Sequence, residues 1–349
     1  MLNRCHRLTA ALAAVLPLLF VGWAFAEQNE PEALSSWNDG PAKSAILNFV
    51  HETTDKSSAK FVPPEERIAT FDQDGTLWCE HPVYTQVVFA IDRVKQLVPQ
   101  HPDWKTTEPF KSILADDQQA TMKFTIQDFA KVVAVSHTGM TVEEFQAIVK
   151  KWLATAEHPR FHRRYTDLVY QPMLEVMAYL RANGFKTYIV TGGGQDFVRV
   201  FSDQVYGVPT EQVVGSAGKT KYEYGSAGQP RLVKVPEILL IDDKTGKPEG
   251  INLFIGRRPI AAFGNSTGDQ QMLEWTQATD DSKVAHGARL MMLVLHDDAQ
   301  REYAYGPAQG LPDSKVGAFT EPLYDEAKSN GWTVISMKKD WKRVFQFEK

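Results

Sequence analysis

The stretch RIATFDQDGTL, Arg67–Leu77, constrains what this chain can become more than any other. Ile68–Phe71 is a short, mostly apolar, β-prone run. It breaks at once into two carboxylates, Asp72 and Asp74, followed by Gly75 and Thr76. An apolar run of that length closed by Asp and Gly reads as a buried strand ending in a tight turn. In open α/β sheets ligands sit just beyond the carboxyl ends of the strands, where this pair would project. Two carboxylates held close invite a divalent cation or a divided acid/base role. A solvated acidic turn is the other reading, and the motif alone leaves both open.

Two further strand ends decide between them. Lys186–Val190, KTYIV, is a second buried run, stopping at Thr191-Gly192-Gly193-Gly194 ahead of a helix over Gln195–Tyr206. Pro259–Phe263 is a third, running into Gly264-Asn265-Ser266-Thr267-Gly268-Asp269. Arg289–Leu295 and the edge candidate Thr333–Ser336 complete the set, and Lys221–Tyr224 with Arg231–Val235 reads as a hairpin. From Trp78 to Tyr170 the apolar spacing is helical throughout, and Thr141 with Glu144 forms a capping box. Short strands each followed by a helix imply an α/β fold, a Rossmann-like doubly wound, mostly parallel sheet, with an inserted α-helical module. In such a sheet the three loops share one edge. They carry carboxylates, then a hydroxyl with backbone N–H groups at a helix start, then an amide with a further carboxylate. Lys247 lies between the last two, in a turn. A cation site, an anion site and a lysine describe phosphoryl chemistry better than acyl or hydride transfer.

At this point the chain resembles the haloacid dehalogenase superfamily, specifically its phosphatases. DQDGTL matches the first family motif and YIVTGG the second, Lys247 stands where the third-motif lysine belongs, and GNSTGD resembles the fourth. The resemblance spans Arg67 to about Trp275. It implies a catalytic core over residues 27–77 and 171–349 with a helical cap over 78–170, as in the phosphoserine phosphatase branch. It implies Asp72 as nucleophile, Asp74 as the acid that protonates the leaving oxygen, and Thr191 and the Gly192 N–H as holders of phosphoryl oxygens. Lys247 would neutralise charge. Mg²⁺ would bind Asp72, the Asp74 carbonyl and the fourth motif, through Asn265 or Asp269. Asn265 is a departure, an amide where the family usually has an acid. Glu80 stands near the place of a glutamate that would receive a substrate amine.

Composition bounds the rest. Arg4, His6 and Arg7 precede the apolar Leu8–Val21, and Ala24-Phe25-Ala26 has the form of a cleavage site, so residues 1–26 read as a signal peptide, with an uncleaved membrane anchor as the alternative. Its removal leaves Cys79 as the sole cysteine, read as a packed small hydrophobe, and shifts the net charge from −5 to −7. An acidic chain excludes a general nucleic-acid footprint. The reading is an exported, periplasmic or secreted phosphomonoester phosphatase acting on a small phosphorylated metabolite, with no stable membrane association after cleavage. Its alternatives are a phosphotransferase to an alcohol and a non-catalytic phosphate-ester-binding protein. His296-Asp297-Asp298 ends a sheet strand and is either part of the pocket rim or, as such clusters more often are, a solvated turn.

Overall fold

An apolar run such as LMMLVL can be a strand only if both faces of its sheet are covered, because every residue then finds apolar company. A computed structural model, describing residues 33–121, 123–278 and 289–348, shows that arrangement. The segment read as a signal peptide lies outside the described residues. In chain order come helix α1 (Pro41–Thr54), strand β1 (Ile68–Phe71), and helices α2 (Thr85–Leu97), α3 (Phe110–Leu114), α4 (Gln118–Thr121), α5 (Ile126–His137), α6 (Val142–Leu153) and α7 (Gln171–Ala182). Then come β2 (Lys186–Gly194), α8 (Gln195–Val198), α9 (Ser202–Tyr206), β3 (Val213–Tyr224), β4 (Pro230–Leu240), α10 (Gly246–Phe254) and β5 (Ala261–Gly264). The last elements are α11 (Gln270–Gln277), β6 (Leu290–Leu295), α12 (Glu321–Ser329), β7 (Thr333–Ser336) and α13 (Met337–Asp340).

The seven strands form one sheet in the order β4-β3-β2-β1-β5-β6-β7, parallel except for β4. Alternate residues of each strand enter opposite layers. Ile189, Val213, Phe263 and Met292 pack in one apolar cluster with Met173 and Val176 of α7. Their neighbours Val190, Val214, Ala262 and Leu293 pack in another, with Ile251 of α10 and Met272 of α11. This is the doubly wound α/β fold the alternation implies. Between β1 and β2 the described residues contain helices and no strand, and part of that block has its own small core of Ala90, Val94, Trp104, Phe110, Ile113 and Val132.

Three local expectations change. The segment after Thr191 is not one helix but two short ones, α8 and α9. The sequence pattern ends β2 at its glycines, whereas the strand runs on through Gly194, pairing with β3 across an irregular register. Close packing explains this, since a Cβ on Gly215 would lie 2.9 Å from the Gly193 carbonyl oxygen. Finally, Lys247 sits in the first turn of α10 rather than in an open turn.

The helical block is tied to the sheet edge. The Gly139 N–H donates to the Lys234 carbonyl at 2.9 Å, and the Lys234 N–H donates to the Met140 carbonyl at 2.9 Å. The Lys234 ammonium pairs with Asp196 and lies 4.9 Å from the centre of the Phe145 ring. Beside this junction the buried His137 meets Ser136 Oγ through Nδ1 at 2.6 Å and the Gln86 amide through Nε2 at 2.9 Å. Burial, then the positive charges of Lys234 and Arg93, push its imidazole down to about 3 from the ordinary 6.5. Between those values the unfolded chain binds a proton that the folded chain refuses. Stability therefore falls as pH drops through that window, by at most about 1.4 kcal/mol per pH unit. His137→Gln should flatten the dependence of the urea midpoint on pH between 6.5 and 4; an unchanged slope would refute the assignment.

Candidate active site

The site is assembled at the carboxyl end of three neighbouring strands. Phe71 of β1 and Phe263 of β5 stack with ring centres 4.4 Å apart and planes 2° apart, and the Asp72 N–H donates to the Phe263 carbonyl at 2.9 Å. The ends of β1 and β5 are thus held side by side, so the loops that follow leave from one point. After Asp72 the backbone folds into a turn in which the Leu77 N–H donates to the Gln73 carbonyl, with Gly75 at φ +77°. That conformation favours glycine, and space demands it: a Cβ there would lie 2.1 Å from Asn265 Nδ2.

Lys247 joins the three loops. Its Nζ lies 2.6 Å from Asp72 Oδ1, 2.7 Å from Asp269 Oδ1 and 2.8 Å from the Val190 carbonyl oxygen. All three side chains are buried. Burial alone would lower the Lys247 ammonium, but the carboxylates of Asp269, Asp72 and Asp242 outweigh it and hold the group protonated. Burial, then the Asp269 charge, presses the Asp72 carboxyl well above its usual range, with Lys247 opposing. Asp74 is also raised by burial, against a 2.7 Å hydrogen bond from Trp78 Nε1 to its Oδ1. A raised carboxyl holds its proton longer, which suits a group that must donate one.

Thr191 is buried at the end of the second motif, and its Oγ accepts the Gly193 N–H at 3.0 Å. Gly192 is exposed beside it, with its carbonyl bound by Ser216 Oγ at 2.8 Å. The third loop separates Asn265 from Asp269. Asp269 has no free oxygen: Oδ1 holds Lys247, and Oδ2 accepts the N–H groups of Asn265 at 2.9 Å and Ser266 at 3.0 Å. Asn265 Oδ1 lies 3.3 Å from Thr76 Oγ, which lies 3.5 Å from Asp72 Oδ2. A carboxylate, a hydroxyl and an amide oxygen therefore gather on the side of Asp72 away from Lys247. Such a hard oxygen set fits Mg²⁺. Among the described residues no three His, Cys, Asp or Glu side chains converge as a cation site, so a metal here depends on the amide and on backbone carbonyls.

Glu80 is 2% exposed, and its Oε1 accepts from Asn265 Nδ2 at 2.7 Å and from the Tyr305 hydroxyl at 2.7 Å. Its carboxyl is pushed up mainly by burial, against the Tyr305 bond. His296 and Asp298 are buried rather than solvated, and His296 Nε2 lies 2.7 Å from the Gly75 carbonyl oxygen. His296 Nδ1 meets Glu302 Oε2 at 3.1 Å, and Cys79 is packed alongside, its Sγ 2.9 Å from Glu302 Oε1. The loop after β6 therefore braces the acidic turn from behind.

Other participants carry no local signal in the sequence. Gln86 of α2 accepts the Gly194 N–H at 2.7 Å, bringing the helical block to the second motif. The Tyr84 hydroxyl accepts the Gly317 N–H at 3.0 Å. Asp242, fully buried with both carboxyl oxygens lacking hydrogen-bond partners, is pushed up to about 7 by burial.

Removing the shared cation would strand two buried carboxylates. Lys247→Met should destabilise the fold at neutral pH by about 3–5 kcal/mol, read from urea unfolding. An unchanged midpoint would mean that the carboxylates do not depend on this ammonium.

A haloacid dehalogenase-like hydrolase family model matches residues 66–229, a span that includes the first two motifs and ends before Lys247. No curated protein matches the chain significantly. Among solved structures, a protein of unknown function from Bordetella pertussis Tohama I is 16% identical, with a TM-score of 0.44 over 77% of this chain and 98% of that one. A conserved protein of unknown function from Anaerococcus prevotii DSM 20548 is 14% identical, with a TM-score of 0.46 over 87% and 96%. A phosphoserine phosphohydrolase-like protein from Francisella tularensis subsp. tularensis SCHU S4 is 16% identical, with a TM-score of 0.35 over 66% and 88%. Those likenesses are too distant to say what this chain acts on. Over residues 66–229 the chain matches the haloacid dehalogenase-like hydrolases, and the order of its motifs agrees with that match.

Proposed function

We propose that this hydrolase cleaves small phosphoric monoesters through an aspartyl-phosphate intermediate, with Mg²⁺ as cofactor. The observation that carries the reading is the placement of Lys247 between Asp72 and Asp269 while Asp74, its carboxyl raised, stands two residues from the nucleophile. Asp72 Oδ2 is the oxygen of that carboxylate that Lys247 leaves open, since Lys247 holds Oδ1 and Oδ2 meets the Thr76 hydroxyl at 3.5 Å. It attacks phosphorus as the ester P–O bond breaks, and Asp74 gives its proton to the departing alkoxide. Asp74 then takes a proton from water, which attacks the aspartyl-phosphate, freeing inorganic phosphate and restoring Asp72. Thr191, the Gly192 N–H and Lys247 hold the phosphoryl oxygens where charge accumulates.

Asp72, the Asp74 carbonyl and Asn265 are the residues that would hold Mg²⁺, since Asp269 is fully engaged within the protein. The cation would supply positive charge that lets a carboxylate approach a dianionic phosphate. The helices between the first two motifs, residues 78–170, serve as the cap that selects the substrate, and Gln86 is their contact with the second motif.

Hydrolysis of a chromogenic aryl phosphate tests the chemistry. The wild type should turn over, a chelator should abolish turnover with recovery on adding Mg²⁺, and Asp72→Asn should lose at least about a thousandfold in kcat. Full activity in Asp72→Asn would overturn the mechanism. Glycerol phosphate formed in the presence of glycerol would place the enzyme among phosphotransferases instead.

The hydrolase is, in this reading, exported. The basic start, the apolar Leu8–Val21 and Ala24-Phe25-Ala26 support it, and among the described residues no helix is long and apolar enough to cross a membrane. Amino-terminal sequencing of protein recovered outside the cytoplasm should begin at Glu27; a retained Met1 would refute cleavage.

A further inference from the structure

An amide is an awkward ligand for a cation because its two ends are nearly the same shape and opposite in polarity. Turned one way Asn265 offers an oxygen beside Asp72, and turned the other it offers two N–H groups that repel a cation. Something must choose. In this chain the choice is made from behind, where Asn265 Nδ2 donates to Glu80 Oε1 at 2.7 Å and leaves Oδ1 3.3 Å from Thr76 Oγ.

Glu80 is itself immobilised. The Tyr305 hydroxyl donates to the same Oε1 at 2.7 Å, and the Tyr305 ring stacks on His296, centres 4.4 Å apart. Both flanks are closed by glycines that leave no room for a side chain. A Cβ on Gly75 would lie 2.3 Å from Glu80 Oε1, and one on Gly317 would lie 1.8 Å from it. Oε1 is therefore held in place as the acceptor of both bonds.

We infer that Glu80, clamped by Tyr305, is a positioning residue that fixes the Asn265 amide with its oxygen toward the nucleophile, making a neutral residue a competent fourth-motif cation ligand. This rests on the Mg²⁺ reading above. It carries a consequence that a purely structural role would not: a carboxylate has no wrong end, so an acid at position 265 has no need of Glu80.

The test is Mg²⁺ binding to the full chain, by calorimetry or by the Mg²⁺-dependent rise in melting midpoint, with metal-free midpoints recorded to separate folding from binding. Glu80→Met removes the acceptor and should weaken Mg²⁺ binding about tenfold or more, the usual cost of losing a partner that orients a ligand. Glu80→Gln keeps an amide oxygen for Asn265 and Tyr305 and should retain wild-type affinity. Glu80→Met with Asn265→Asp should regain it. The inference is overturned by wild-type affinity in Glu80→Met, or by a double variant no better than that single one. If Glu80→Met does not fold, Tyr305→Phe must weaken Mg²⁺ binding, and wild-type affinity there counts against the inference equally. A wild type with no saturable Mg²⁺ response overturns the cation reading and the inference with it. A wild type that responds while Glu80→Met matches it overturns the inference alone.

Discussion

Everything at the candidate site depends on one ammonium group buried between two carboxylates. Lys247 reaches Asp72 from β1, Asp269 beyond β5 and the carbonyl at the end of β2's apolar run. Charges so far from water are tolerable only when each is matched, and an unmatched one would cost several kcal/mol. The ion pairs therefore act as a geometric clamp. The lysine satisfies all three partners only if the strand ends meet at one edge and α10 starts beneath them. The same clamp makes the two Asp72 oxygens unequal, Oδ1 held by Lys247 at 2.6 Å and Oδ2 met by the Thr76 hydroxyl at 3.5 Å.

Close approach is the second requirement, and glycine is how the chain meets it. Gly264 lets Asp269 fold back under the third loop, since a Cβ there would lie 2.5 Å from that of Asp269. Gly215 lets β3 lie against the bulged end of β2, and Gly75 lets the acidic turn pack on Asn265 and Glu80. Each glycine is placed where two backbones or a backbone and a polar group must share space, so the loops pack tightly.

The third layer is polar and buried. Glu80, Tyr305, His296 and Glu302 lie behind the acidic turn and form one linked set from Asn265 to the Gly75 carbonyl. Buried groups of this kind are costly unless satisfied, and their mutual bonds fix a single arrangement. A neutral Asn265 beside Asp72 leaves the site with less negative charge than a second acid would, which eases metal-free folding around an already crowded set of carboxylates.

The sequence by itself determined where most of the strands lie and the motif residues, while their order in the sheet came only from the structure. Apolar runs that end in Asp-Gly, Thr-Gly and Gly-Asn have a local cause, and a parallel sheet must bring such ends to one edge. Asp72, Thr191 and Asp269 were legible for that reason, and Lys247 through its place in the third family motif. What only the tertiary structure decided is how the shared polar atoms are divided. Whether Asp269 or Asn265 has an oxygen to spare depends on Lys247 and on two backbone N–H groups at one end, and on Glu80 at the other. Glu80 was legible as a carboxyl near the motif but not in its orientation, because Tyr305 lies more than two hundred positions away and leaves no periodic trace. The length of β2 and the break between α8 and α9 were hidden likewise, being set by packing against β3 rather than by local propensity. Periodicity reports which face a residue shows to the core; it does not report which polar group it will meet there.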